Sequence, residues 1–358
     1  MAAPPVAIRA RVESDPDQKT EREEILPRAT VWVDDLTDDP QAFALSVARG
    51  LSTQPPQLDC RYLYDEVGSE LFSEITRQPE YYPTRTEAQI LARHAGELAE
   101  TLGTVPICEL GSGTAAKTRL LLDAWADAAQ CDFHYVPVDI DPGVVRSAAT
   151  TLAEQHPDLH VSGLATSYEN ALERVRDISP KLVLFLGSTL GNFEPAEMDK
   201  FMRMIEGALR PGDAFLLGVD LVKDRETLEA AYNDAAGVTE RFTLNLFERM
   251  NRELDAGIPE KAVEHVAFWN DRDDQIEIYG RFREDVQIDL PGLEQRFEMT
   301  AGQMVRVEIS RKFRIDRLRT DLARYRLRMD RVFTDDQDHF ALLLLRRVDS
   351  PDEARSAA

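Results

Sequence analysis

Glu109, Gly111, Gly113 and Asp139 are the residues whose types and spacing most directly suggest chemistry. The first three fall in the run Val105 to Thr114, where Gly111 and Gly113 would let the chain turn tightly and bring a ligand against the main chain. Asp139 ends the next apolar run, Phe133 to Asp139, and an acid there is placed to accept hydrogen bonds from ribose hydroxyls. A nucleotide-like ligand at the carboxyl edge of a parallel sheet is therefore indicated. The competing reading is an ordinary tight strand-to-helix turn, because Gly-x-Gly is common and Ala116 stands where a dinucleotide fingerprint would carry its third glycine.

Positioning these residues needs a strand, a turn and a helix. Val105, Ile107 and Leu110 supply the strand, and Leu120, Leu121, Ala124 and Trp125 follow at helical spacing. The alternation continues downstream. A helix opens at Asp141-Pro142-Gly143, a strand covers 160–165, and Lys181 to Leu186 is a short continuous apolar run that suits a central parallel strand. It leads into Gly187-Ser-Thr-Leu-Gly-Asn192, a helix at 195–209, and a strand from Ala214 to Asp220. This is the pattern of an α/β sheet with connecting helices. From Lys223 to about Arg311 the pattern changes. Helical periodicity near 239–254 gives way to strand-like runs at 262–270, 275–282, 285–290 and 305–313. A helix at 315–324 and strands near 325–333 and 338–347 could complete the first sheet. Residues 1–34 and 349–358 read as mobile tails.

Composition narrows the function classes. The 358 residues carry 42 Lys+Arg against 65 Asp+Glu, a formal charge of −23, which opposes binding to a nucleic-acid backbone or an anionic membrane. Cys60, Cys108 and Cys131 form no paired spacing, and the histidines show no ligand pattern, so neither a disulfide framework nor a metal site is expected. There is no 18-residue apolar run and no signal-peptide core, so a cytoplasmic protein is expected.

The arrangement Glu-x-Gly-x-Gly, helix, strand, Asp resembles class I S-adenosylmethionine-dependent methyltransferases, whose ligand carries a sulfonium and no phosphate. More specifically, residues 35–348 are similar to the histidine N-alpha-methyltransferase family of ergothioneine biosynthesis. Tyr64 to Phe72, Pro79 to Arg85, Glu109 to Thr114, Leu186 to Asn192, Asn251 to Leu254 and Glu308 to Ser310 carry the resemblance. It implies an α/β fold: a Rossmann-like methyltransferase sheet (87–221 with 313–348) that binds S-adenosyl-L-methionine, and a second, α+β substrate-binding domain (35–86 with 222–312). It implies three successive methyl transfers to the α-amino group of L-histidine, giving hercynine. L-histidine would be the small-molecule partner of a monomer that binds neither nucleic acid nor membrane.

The resemblance also assigns residues. Gly111, Lys117, Asp139, Ser167, Tyr168 and Gly187 match cofactor-binding positions; Ser167-Tyr168 replaces the usual Asp-Phe beside the adenine. Asn192 and Tyr232 match residues that hold the α-carboxylate, and Tyr82, Glu308 and Ser310 the side that recognises imidazole. Tyr64 matches a tyrosine near the amino group and is the candidate catalytic residue. Phe242 gives an apolar wall, and Ile278 stands where some members carry methionine. Two competing readings remain at this stage: an N-methyltransferase of a tryptophan-like amino acid, and a nicotinamide-dependent oxidoreductase. A non-catalytic ligand-binding protein on the same scaffold is a third.

Overall fold

The computed structural model describes residues 20–34, 40–128 and 132–355. They fall into two compact units, one built from the described residues of 1–36, 86–221 and 313–358, the other from those of 37–85 and 222–312.

The first unit is organised on one nine-stranded sheet. Its strands are β1 (Thr20–Leu26), β2 (Ala29–Asp34), β3 (Ile107–Leu110), β4 (Phe133–Asp139), β5 (Leu159–Ala165), β6 (Leu182–Phe185), β7 (Ala214–Asp220), β13 (Leu327–Thr334) and β14 (Phe340–Arg347). Their order is β1-β2-β5-β4-β3-β6-β7-β14-β13, with β2 to β7 parallel and β1 and β14 antiparallel to their neighbours. Alternate side chains of the apolar runs feed two cores, one on each face. Val183, Phe185, Phe215, Leu217, Leu343 and Leu345 face one core; Leu182, Leu184, Leu216, Leu342 and Leu344 face the other. Helices Tyr168–Val175, Pro195–Ala208 and Ile315–Ala323 cover the first core, and Pro83–Leu102, Arg119–Ala128 and Pro142–Gln155 the second. The chain runs one way from β3 to β5 and the other way from β6 to β7. The carboxyl ends of β3 and β6 are therefore the switch point where such sheets bind ligands.

Two expectations are corrected here. Residues 20–34 are not tail but β1 and β2, because Ala29 to Trp32 are buried and β2 pairs with β5; residues 1–19 lie outside the described residues. At the other end Pro351–Arg355 forms a short helix that buries Ala354 against Ala323 and Val348; 356–358 lie outside the described residues.

The second unit carries a three-stranded antiparallel sheet, ordered β12-β9-β8, from β8 (Val263–Asn270), β9 (Gln275–Phe282) and β12 (Met304–Arg311). A two-stranded ribbon joins β10 (Val286–Leu290) to β11 (Gln295–Met299). Helix Val238–Leu254 buries Phe242, Leu246, Phe247 and Met250 in one core with Ile276, Ile278 and Val305 of the sheet. Gly280 sits where a Cβ would come within 2.4 Å of the Phe247 ring, so the helix packs onto a strand position that only glycine fits.

Candidate active site

In the first unit the sequence-predicted residues gather at the switch point. Gly111 and Gly113 both hold positive φ, 70° and 50°, and the N–H groups of Gly111 and Ser112 each donate 2.9 Å to Val138 O, which seats the turn on β4. A Cβ on Gly111 would lie 2.9 Å from Tyr168 Oη, so a side chain there would fill the space over the turn. Asp139 is half-buried. Its Oδ2 accepts from Gly113 N–H at 3.0 Å and its Oδ1 from Asp141 N–H at 3.2 Å. A carboxylate offers about four acceptor positions, so capacity for ribose hydroxyls remains. Burial raises its pKa, and these N–H groups oppose the shift. Ile140, next in the chain, leaves a large apolar side chain 65% exposed beside that acid. Ser167 caps helix Tyr168–Val175 by accepting from Asn170 N–H at 3.3 Å. The Tyr168 ring stands edge-on to Phe185 and Phe201. Asn192 ends the short 3₁₀ turn after β6, half-buried.

Lys117 and Gly187 are tied together by a residue to which the sequence assigns no role. Glu87 is fully buried; its carboxylate pairs with the Lys117 ammonium and accepts from Gly187 N–H at 2.8 Å. It thus links the loop after β3 to the loop after β6. Glu109 is buried as well and accepts from Thr118 Oγ1 at 2.6 Å and from the Tyr135 hydroxyl; burial pushes its pKa up to about 7. It braces the turn against β4. The turn, the open acid and the buried pair around a lysine fit an adenosyl ligand with a carboxylate tail.

In the second unit the predicted substrate residues converge. The β12–β9 register sets Glu308 opposite Ile278 and Ser310 opposite Ile276. A bulge between Arg306 and Glu308 inserts Val307 and re-aims the strand, so Val307 goes to the core and Glu308 stays half-buried. Tyr232 Oη lies 2.7 Å from Ser310 Oγ. A chain of rings joins Tyr232 to Tyr81, Tyr81 to Phe72, Phe72 to Phe242 and Phe242 to Tyr64, at centroid separations of 5.3 to 6.3 Å. Tyr82 is buried and takes a 2.6 Å hydrogen bond on its hydroxyl from Lys223, whose ammonium also lies 4.4 Å from the ring centre.

The electrostatics assign protonation states. Burial pushes the Glu308 carboxyl up to about 7, with Lys312 pulling the other way. Tyr64 keeps 39% of its surface open, but desolvation of its phenol between Phe72 and Phe242, together with the Glu308 charge, holds its pKa well above the usual value. Both effects favour the neutral phenol of Tyr64. Lys312, Lys223, Tyr81 and Phe72 were missed by sequence reasoning. Only Lys312 had a usable signal, a basic residue two beyond Ser310.

A parallel sheet with this switch point and an acid-ended second strand suits a ligand with a nucleoside part. Residues 43–347 match the model of the family described as histidine-specific methyltransferase, SAM-dependent. The chain belongs to that family. It is 41% identical over 304 residues, 85% of this chain and 94% of the relative, to histidine N-alpha-methyltransferase from Mycolicibacterium smegmatis. The enzyme of the same name from Mycobacterium tuberculosis is 38% identical over 303 residues, with the same coverage. Ergothioneine biosynthesis protein 1 from Neurospora crassa is 36% identical over 203 residues, 55% of this chain and 23% of that one. This membership sets aside the nicotinamide-dependent reading. Among the described residues no cluster of His, Cys, Asp and Glu could hold a metal ion, and no helix is long and apolar enough to cross a membrane.

Proposed function

We propose that this chain transfers three methyl groups in succession to the α-amino nitrogen of L-histidine, giving hercynine, the first step of ergothioneine biosynthesis. The observation that most supports it is the face on which Glu308 stands opposite Ile278 and beside Ser310 and Tyr232: a carboxyl group, two hydroxyls and an apolar wall suit a ring that carries nitrogen. An indole offers this face one N–H and no acceptor nitrogen, whereas imidazole offers both.

S-adenosylmethionine, when bound, supplies a methyl carbon on a sulfonium, which a neutral amine attacks while the carbon–sulfur electron pair leaves to sulfur. The chain's own residues bind and orient. Asp139 takes ribose hydroxyls, Gly111 leaves space against the main chain, Ser167 and Tyr168 flank the adenine, and Lys117, held by Glu87 beside Gly187, offers a cation to the carboxylate tail. In the second unit Tyr232 donates to the substrate carboxylate, and Glu308 and Ser310 read the imidazole against Ile278 and Phe242. Asn192 is assigned to the amino-acid substrate on the resemblance alone. An amine must lose a proton before each transfer, so three protons leave over the sequence. Tyr64 accepts an N–H to aim the lone pair, and the protons pass to water. Positioning and desolvation carry the rate enhancement. The enzyme is proposed to work as a cytoplasmic monomer.

Incubation with S-adenosylmethionine and each standard amino acid in turn, read by mass spectrometry, tests the assignment. Histidine alone should be converted; preferential methylation of tryptophan would overturn it.

A further inference from the structure

Asp34 ends β2 and is 6% exposed. β2 runs parallel to β5 with Val33 opposite Ala165, so Asp34 comes level with Thr166, the first residue past β5. Its Oδ2 accepts from Thr166 Oγ1 at 2.5 Å and from Asn170 Nδ2 at 3.4 Å. Its Oδ1 accepts from Arg174 Nη2 at 2.5 Å and from Thr20 Oγ1 at 2.9 Å. Thr166 is itself buried and is held from the other side, where its backbone N–H donates 3.0 Å to Asp139 O. Tyr168, two residues on, brings its hydroxyl to the Gly111 turn.

Burial would raise the Asp34 carboxyl, but the hydrogen bonds from Thr166, Arg174 and Thr20 outweigh it and hold the group below the ordinary carboxylate range. Thr166 therefore donates to a charged acceptor, the stronger kind of hydrogen bond. An acid that only fastened the hairpin of β1 and β2 would be complete with Arg174 and Thr20. Oδ2 instead reaches Thr166 and Asn170, and these two bracket Ser167 and Tyr168 in the chain. A turn held at both ends presents its side chains to a ligand in one arrangement, which spares the cost of ordering them on binding. Thr166 also joins the two sides of a nucleoside site, since its backbone is tied to Asp139 and Tyr168 follows it. Residues 20–34 precede the stretch 43–347 that matches the family, so this support comes from outside the matched segment.

We infer that Asp34 is a positioning residue for the cofactor: through Thr166 it sets the turn that carries Ser167 and Tyr168, and with it the fit of the adenine base. The inference rests on the placement of those two residues beside the adenine proposed above.

The test uses the full chain with Thr166→Val, which keeps the branched shape and removes the hydroxyl, Thr166→Ser, which keeps the hydroxyl, Asp34→Asn, and the double variant of Asp34→Asn with Thr166→Val. Calorimetry gives the affinity for S-adenosylhomocysteine. Competition against it gives the affinity for S-ribosylhomocysteine, which has the ribose and the amino-acid tail without the base. Thr166→Val and Asp34→Asn should each weaken S-adenosylhomocysteine binding by about 3- to 10-fold, the scale of one hydrogen bond, and S-ribosylhomocysteine binding by less than about twofold. Thr166→Ser should bind as the wild type does. The double variant should lose no more than the larger single loss, because both changes break one link. Equal losses for the two ligands, additive losses in the double variant, or an unmoved S-adenosylhomocysteine affinity in the folded variants would overturn the role and leave Asp34 as an anchor of the hairpin. Should Asp34→Asn fail to fold, Asp34→Ser takes its place; failure of both makes Asp34 a fold-stabilising residue and overturns the inference as well. Tyr168→Ala separates the two claims: unchanged S-adenosylhomocysteine affinity there sinks the adenine placement and the inference with it, whereas a loss there beside an unmoved Thr166→Val sinks only the role of Asp34.

Discussion

Glu308 is a carboxyl group that burial brings up to about 7, so it changes charge in the working range. It accepts an imidazole N–H more strongly when ionised. The kcat/KM for histidine should therefore rise with pH through about 7 in the wild type, and Glu308→Gln should flatten that part of the profile. The limb from deprotonation of the substrate amine lies higher and is shared by both enzymes. Glu308→Ala should cost about 1.5–3 kcal/mol, roughly 10- to 150-fold in kcat/KM for histidine. Tryptophan, which never had the contact, should lose much less, so the histidine-to-tryptophan ratio falls; an unchanged ratio would make Glu308 structural. Asp139→Ala makes the matching case for the cofactor. Loss of its ribose contacts should weaken S-adenosylhomocysteine binding by about 1.5–3 kcal/mol, and calorimetry on the folded variant with unchanged affinity would remove Asp139 from the site.

Among elements, the two loops that leave β3 and β6 depend on one buried carboxylate. Glu87 holds both, and β7 makes room for it: a Cβ on Gly218 would come within 2.1 Å of Glu87 Oε1. Gly218→Ala should therefore displace Glu87, lower the melting temperature by an overpacking cost of about 1–3 kcal/mol, and weaken S-adenosylhomocysteine binding. Gly207→Ala, on helix Pro195–Ala208 where a Cβ meets nothing within 4 Å, is the control and should stabilise by about 0.5–1 kcal/mol. Equal cofactor affinity in both variants would deny Glu87 its positioning role. The same elements show what was legible. β6, β7 and β14 could be read because strands buried on both faces are continuous apolar runs. β1 was hidden because an edge strand with the sequence TEREEIL is largely charged and looks like tail, and β11 because its residues are mostly exposed. Gly111 and Asp139 announce themselves through local spacing. Glu87 does not, since its partners Lys117 and Gly187 lie far away in the chain and only the fold brings them near.

For the whole molecule, buried carboxyl groups set the pH at which the ligand-free fold is strongest. Glu109 and Glu308 are raised to about 7, and Asp139 is raised too, so between the ordinary carboxylate range and about 7 the folded state binds more protons than the unfolded chain. Stability from these groups is present at lower pH and is lost as pH rises through that window. Asp34, Asp234 and Glu277 are lowered, chiefly by hydrogen bonds that outweigh their burial, and lose their contribution as pH falls through the acid range. The net charge of −23 adds repulsion on the alkaline side. Urea midpoints without ligands should therefore peak at about pH 4.5–6; a maximum above about pH 7.5 would contradict these assignments. The central claim concerns which nitrogen of which amino acid is methylated, and one measurement meets it directly. Histidine labelled at the α-nitrogen is incubated with excess S-adenosylmethionine, and the product is fragmented in the mass spectrometer. The account predicts release of trimethylamine carrying the label, with three molecules of S-adenosylhomocysteine formed per molecule of product. Methyl groups retained on the imidazole fragment, or a labelled nitrogen that leaves unmethylated, would contradict it.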